Sequence, residues 1–307
     1  MLTEKPFVSV IIPCYDEAKN LEQGVLDEVY EHLMRQDFSW EVIVVNDEST
    51  DNSRYLVTRS ILQKEHFCLH DIPHGGKPAA IWAGIQKARG SVLLLTDMDQ
   101  STPIAELNKL LPWFQQGFDM VIGSRGLARD GSPLIRKIGS LGFRTLRRFF
   151  LLRDIIDTQC GFKLCSRHIA MQIFPQLWFC KQKERPNGWT VTAFDVEMLF
   201  LTERRGYRIK EVLVNWSNRD QKENGFRSSR LAKYANESID MCAQIIRIKL
   251  NQLMGKYKKT SPPSMSHDDS HENELPYIAR AFPLVDSLQE TTRESKCPNL
   301  GDQSDPR

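Results

Sequence analysis

Three short acidic strings stand out in this chain: Tyr15-Asp16-Glu17, Asn46-Asp47-Glu48-Ser49 and Asp97-Met98-Asp99. The third carries the sharpest chemistry. Two carboxylates at i and i+2, just past an apolar run, can share one hard cation through oxygen ligands. A divalent ion held so can bridge a diphosphate and neutralise charge on a departing nucleotide. The plain alternative is an acidic turn, and only the placement of the string argues beyond it. Three acidic loops on one side of a molecule repel one another unless a cation or a hydrogen-bonding ligand sits among them. For Asp16 and Asp51 a helix-capping role is an equally good reading, whereas Asp47 is better placed to accept bonds from a base or ribose. The string His74-Gly75-Gly76-Lys77-Pro78 opens a helix whose first N–H groups face an anion. Asp195 and Glu197 stand two apart at another expected helix start, where the dipole favours acids in any case.

The acidic strings follow runs that read as buried strands. Residues 7–13 (FVSVIIP) and 41–45 (EVIVV) are nearly continuous β-branched runs, and residues 91–96 (SVLLLT) end on Asp97. Further strands are expected at 67–72, 119–123 and 208–216. Helical periodicity covers 17–34, 51–64, 78–88, 133–153, 194–203 and 229–257. Strand–helix alternation of this kind predicts an α/β fold with a largely parallel sheet, in which ligands collect outside the carboxyl ends of the strands.

The strings PCYDE, VVNDES, GGKPAAIWAGIQKARG, TDMDQS, GSR and DTQCGFKL resemble, in order and spacing, the motifs of glycosyltransferase family 2. The later ones resemble its polyprenyl-phosphate branch, and DTQCGFK followed by FDVE looks most like the glucosyltransferase side of it. The resemblance covers residues 7–216. It implies a GT-A fold, a Rossmann-like single domain with a mostly parallel central sheet flanked by helices. It also implies an inverting, metal-dependent transfer of glucose or mannose, without a covalent enzyme intermediate, from a nucleotide-diphosphate sugar to a polyprenyl phosphate. By position it puts Pro13, Tyr15 and Glu17 at the donor's nucleoside, Asp47 at its base, and Gly76 and Lys77 beside base or ribose. Asp97 would approach the ribose and diphosphate, and Asp99 would be the main ligand of a Mg2+ or Mn2+ ion. Arg125, Gln159 and Lys163 would line the phosphates of donor and acceptor, and Asp195 and Glu197 would lie near the sugar or acceptor. A phosphate acceptor is already ionised at neutral pH; an alcohol would need a base, and Asp195 is the candidate. UDP-glucose is expected as donor ahead of GDP-mannose. The chain departs from the family pattern in NDES, where the usual string is DDGS and the glycine is lost, and in DMDQ.

Composition narrows the remaining classes. With 307 residues, 41% of them hydrophobic, the chain can bury one large α/β core, and residues 1–259 are taken as that domain. No stretch reaches the ~18 consecutive apolar residues of a membrane-spanning helix, and residues 1–6 lack a signal-like apolar region. A location on the cytoplasmic face of a membrane is expected. The segment 132–153 interleaves arginines with Phe143, Phe149 and Phe150 and could lie in an anionic membrane interface or serve as a core helix; 229–259 raises the same pair of readings. From Thr260 on there are nine acidic against four basic residues, leaving 37 basic and 30 acidic before it, so 260–307 is expected to be a disordered acidic tail. Seven scattered cysteines suggest neither a disulfide framework nor a zinc site. The missing GxGxxG excludes a dinucleotide-binding redox enzyme, and no basic–aromatic array points to nucleic acid. The same donor chemistry with a soluble or protein-bound acceptor is one alternative; a nucleotide-sugar-binding regulatory protein is another.

Overall fold

The structure is a computed structural model that describes residues 5–126, 152, 154–181, 194–219 and 242–257. Among the described residues seven strands form one sheet in the order β3-β2-β1-β4-β6-β5-β7. They are β1 (Val8–Cys14), β2 (Trp40–Asn46), β3 (Phe67–Asp71), β4 (Val92–Leu95), β5 (Met120–Ser124), β6 (Lys163–Ser166) and β7 (Ile209–Leu213). β1 and β2 are buried almost throughout, as their unbroken apolar runs require of strands covered on both faces. The edge strands β3 and β7 are half-buried. Pro13, whose ring removes a ladder donor, lies past the last β1–β4 pair, Ile11↔Leu95, and so breaks no hydrogen bond with β4.

Helices α1 (Ala18–Glu22), α2 (Val25–Leu33), α3 (Ser53–Ile61), α4 (Lys77–Lys87) and α5 (Leu107–Gln115) connect the strands. The helix expected over 17–34 is broken in two by Gly24, whose φ of 78° is left-handed. Gly84 lets α4 sit directly on β1, since a Cβ there would collide with Ile11. Later helices run over Arg167–Ile173, Phe194–Arg204 and residues 242–253. The helix 242–253 seats Ile245 and Ile248 in the core that Phe174, Met198 and Leu199 also fill. Of the segment 132–153, Leu152 is described and is fully buried in that core; the rest of it, residues 229–241 and the tail from 260 lie outside the described residues.

β6 was not expected, and it changes the sheet. It pairs antiparallel with both β4 and β5, with Lys163 opposite Leu95 and opposite Ile122. Reversal brings the start of β6 to the edge where β1, β2, β4, β5 and β7 end. The loop before β6 therefore meets the loops after β4 and β5 at that edge.

At the opposite edge Glu41 ties the sheet together. Its buried carboxylate accepts from Ser9 Oγ at 2.6 Å, from the Arg89 backbone N–H at 2.7 Å and from Arg89 Nε at 2.9 Å. Burial pushes this carboxyl up, but the Ser9 and Arg89 bonds outweigh it and hold it below the usual carboxylate range. Its stabilisation is thus present above the ordinary value of about 4.3 and fades as pH falls through the lowered folded value. Glu41→Gln is expected to lower unfolding free energy by ~1–3 kcal/mol at pH 7. Denaturant titrations should show that deficit shrinking toward pH 3; a deficit independent of pH would mean that the charge contributes nothing.

Candidate active site

Asp97 and Asp99 lie in the loop directly after β4. Asp97 is packed against Gly161 of the loop before β6; a Cβ at Gly161 would stand 2.6 Å from Asp97 Cγ. The Lys77 ammonium, at the start of α4, lies 2.5 Å from Asp97 Oδ1. Burial pushes the Asp97 carboxyl up, but Lys77, with Lys163 and Arg125 behind it, more than reverses this and keeps it below the usual range. Asp99 accepts from the Ser101 backbone N–H at 2.9 Å and from Ser101 Oγ at 2.8 Å. Between them Gln100 takes a left-handed φ of 49° and donates from its side chain to the Asp97 carbonyl. The charges of both Asp97 and Asp99 act on the Lys77 ammonium.

The loop after β2 forms a second wall. Asp47, 2% exposed, accepts from the backbone N–H groups of Gly75 and Gly76 at 2.8 and 2.9 Å. Burial raises its pKa, against the pull of these donors and of His74. Its carboxylate therefore shapes the Gly75–Gly76 turn, and any bond to a base adds to this duty. His74 Nδ1 lies 3.1 Å from Asp47 Oδ2, and the His74 ring lies against Tyr15 with centroids 4.6 Å apart. Glu48 occupies the place of the missing glycine and keeps glycine's backbone, with φ 56°. Its side chain accepts the His74 backbone N–H at 2.9 Å. Pro13 is the last residue but one of β1, which ends at Cys14 just before Tyr15. Asp51 accepts from the Ser53 and Ala18 N–H groups, which open α3 and α1, whereas Asp16 accepts from the Thr50 N–H in the β2 loop, outside any helix. Glu17 accepts from the Asn20 side chain at 2.6 Å.

The third wall comes from β5, β6 and the start of the helix Phe194–Arg204. Arg125 is clamped by Asp157 through two bonds of 2.6 and 2.8 Å, and its guanidinium lies 5.7 Å from the Trp216 ring centre. Gln159, expected to line phosphates, gives its backbone N–H to the same Asp157. Lys163 is expected there too, yet its ammonium is buried, bonded to the Cys160 carbonyl and paired with Asp195 at 2.6 Å. It acts on the site by neutralising Asp195 and by lowering the Asp97 pKa. Glu197 turns away into the core, where the Tyr257 hydroxyl donates to it at 2.5 Å. Ser101, Asp157 and Gly161 were not singled out in the sequence, although the last two sit inside the DTQCGFKL string. His74 was read only as the start of the string that opens α4, and its spacing from Asp47 gave no signal.

Residues 9–174 match Glycosyl transferase family 2. The chain belongs to glycosyltransferase family 2. As a member it is a hexosyltransferase. It is 34% identical over 70% of its length to the dolichyl-phosphate beta-glucosyltransferase ALG5D of Trichomonas vaginalis, covering 67% of that protein. To the dolichyl-phosphate beta-glucosyltransferase of Dictyostelium discoideum it is 32% identical over 82% of its length and 76% of the relative's. Among solved structures, mannosyl-3-phosphoglycerate synthase from Rubrobacter xylanophilus shares its fold with a TM-score of 0.56 at 15% identity, over 83% of this chain and 77% of that one. The mannosyltransferase PcManGT from Pyrobaculum calidifontis, solved with GDP-Man and Mn2+, does so with a TM-score of 0.52 at 20% identity, over 91% and 74%. The expected GT-A architecture is therefore the observed one.

The contact between Gly161 and Asp97 gives a direct test of the transferase. Gly161→Ala should displace the Asp97 carboxylate and lower turnover by about a hundredfold, the scale on which ~1 Å misplacements act. Turnover near the wild-type value in a variant of unchanged circular dichroism would show that the position of Asp97 is immaterial.

Proposed function

We propose that this transferase moves a hexose, glucose from UDP-glucose ahead of mannose from GDP-mannose, to a polyprenyl phosphate, with inversion at the sugar. The observation that carries this reading is the similarity over most of the chain to relatives named dolichyl-phosphate beta-glucosyltransferase. The nucleoside would enter between Tyr15 and the Asp47–Gly76 wall, with Pro13 and Glu17 at its margin, and its diphosphate would reach Lys77 and the β4 loop. Asp195 would face the sugar and the acceptor side. Its carboxylate is already engaged by Lys163, which suits an acceptor that arrives ionised over an alcohol that must lose a proton. Arg125, oriented by Asp157, would meet the acceptor phosphate beside Gln159.

Among the described residues no group of three or more His, Cys, Asp or Glu side chains is arranged to hold a metal. Two carboxylates in one loop nonetheless fit a hard cation that keeps most of its coordination for phosphate oxygens and water. Asp99, with Asp97, would hold Mg2+ or Mn2+. Bound there, the ion would supply neutralising charge to the departing diphosphate. Incubating the protein with several labelled nucleotide sugars, with and without a polyprenyl phosphate, tests the reading through label in the organic phase. Label should require both lipid and divalent cation and should vanish in Asp99→Asn. Transfer to a water-soluble acceptor without lipid would replace the acceptor, and full turnover in chelator would remove the metal.

No helix among the described residues is long and apolar enough to cross a membrane. The helix 242–253 has a second apolar stripe, however: Ile246, Leu250, Leu253 and, just past its end, Met254 are 53%, 51%, 73% and 59% exposed. Lys249 and Lys256 flank them. A helix with a buried face, an exposed apolar stripe and lysines beside it suits contact with an anionic membrane surface. Leu250→Gln with Leu253→Gln should lower co-sedimentation with vesicles containing phosphatidylserine by about tenfold without loss of folding, each buried CH2 being worth ~0.8 kcal/mol. Equal sedimentation of variant and wild type would leave the segment 132–153 as the candidate.

A further inference from the structure

The β4 loop holds its own cation. Lys77 Nζ rests on Asp97 Oδ1 at 2.5 Å, and the negative charges of Asp195 and Asp99 also favour the ammonium form of Lys77. Among the described residues the other cations around the loop are committed elsewhere: Lys163 to Asp195, Arg125 to Asp157, and Arg219 to Glu28. Asp99 has hydrogen bonds from Ser101 but no ion pair with a described residue. Asp97 is thus the carboxylate of the pair that a resident cation already occupies.

Lys77 is oddly placed for a structural lysine. It opens α4, whose first turn contains no acid and whose N-cap, Gly76, makes no side-chain cap bond. A positive side chain at the positive end of a helix is unfavourable unless an anion stands before it. In this structure that anion is Asp97, brought in from another strand. A nucleotide diphosphate at the same helix start would serve equally well.

We propose that Lys77 is an exchangeable counter-ion, which bars a divalent metal from Asp97 until a nucleotide diphosphate arrives to take the ammonium in its place. The proposal rests on the transfer reading above and adds an order to it. Metal alone must compete with an ammonium for one carboxylate oxygen, and two cations there repel each other in a partly desolvated loop. Metal arriving with diphosphate meets no such competition, because the phosphates accept Lys77 while Asp97 turns to the metal. No covalent bond forms or breaks and no proton moves; one ion pair is exchanged for two.

The signature is a pair of opposite shifts in one variant. Mn2+ binding is followed by electron paramagnetic resonance of the free ion, first without nucleotide. Lys77→Gln should bind Mn2+ about tenfold more tightly than the wild type, whereas Lys77→Arg, which keeps the charge, should stay close to it. UDP or GDP, whichever the wild type binds, is then titrated at saturating Mn2+. Here Lys77→Gln should bind about tenfold more weakly. A lysine that merely braces the loop would weaken both affinities. Unchanged or weaker Mn2+ binding by Lys77→Gln, with its circular dichroism and melting unchanged, overturns the proposal. If the wild type binds neither nucleotide, the transfer reading fails, and the Mn2+ arm still decides the competition for Asp97.

Discussion

The approach of Asp97 to Gly161 is the contact on which the site depends. One residue follows a parallel strand and the other precedes an antiparallel one, and they meet because β6 is inserted backwards between β4 and β5. The reversed strand brings Lys163 to the level of Leu95, with its ammonium buried behind the carboxylates. A buried ammonium without a partner would be costly. Asp195 supplies the partner and is thereby fixed in direction. The charge pattern of the site follows from one reversed strand, four residues long, that leaves no room for a side chain at Gly161.

Much of the sheet was legible in the sequence. The runs 7–13, 41–45 and 91–96 correspond to Val8–Cys14, Trp40–Asn46 and Val92–Leu95 within about a residue or two, as buried parallel strands with continuous apolar character allow. β6 was missed because four residues beginning with lysine carry no periodicity, and the charged partner of that buried lysine, Asp195, lies 32 positions away. The helix Leu107–Gln115 escaped notice as well, for it contains Pro112. Gly24 was read as an interior helix residue, yet its positive φ divides the segment.

Site residues were legible as types and positions, less so as contacts. Asp97 and Asp99 were visible from their place after a strand. That Asp47 serves the Gly75 and Gly76 N–H groups could not be read, since the pairings span 28 and 29 residues and involve backbone donors. For Asp51 the capping reading describes the observed contacts with the first N–H groups of α1 and α3, whereas Asp16 binds the β2 loop at Thr50. Glu197, placed near the sugar or acceptor by resemblance, instead anchors Tyr257, and with it the end of the helix 242–253. A motif of two acids two apart on one helix cannot announce that one faces a ligand and the other the core.

Glu48 holds a left-handed backbone that glycine would adopt freely, at a cost of order 1 kcal/mol. A glycine there would be the joint about which the β2 loop swings. Glutamate instead restricts the torsion and fastens the loop to the His74 backbone, so that the Tyr15–His74 stack and the Gly75–Gly76 turn stand ready before any ligand comes. Part of the conformational entropy that a mobile loop surrenders on binding has here been surrendered during folding. Association at this wall accordingly loses less entropy than it would with a glycine hinge, and the rigidity is borne by the folded state.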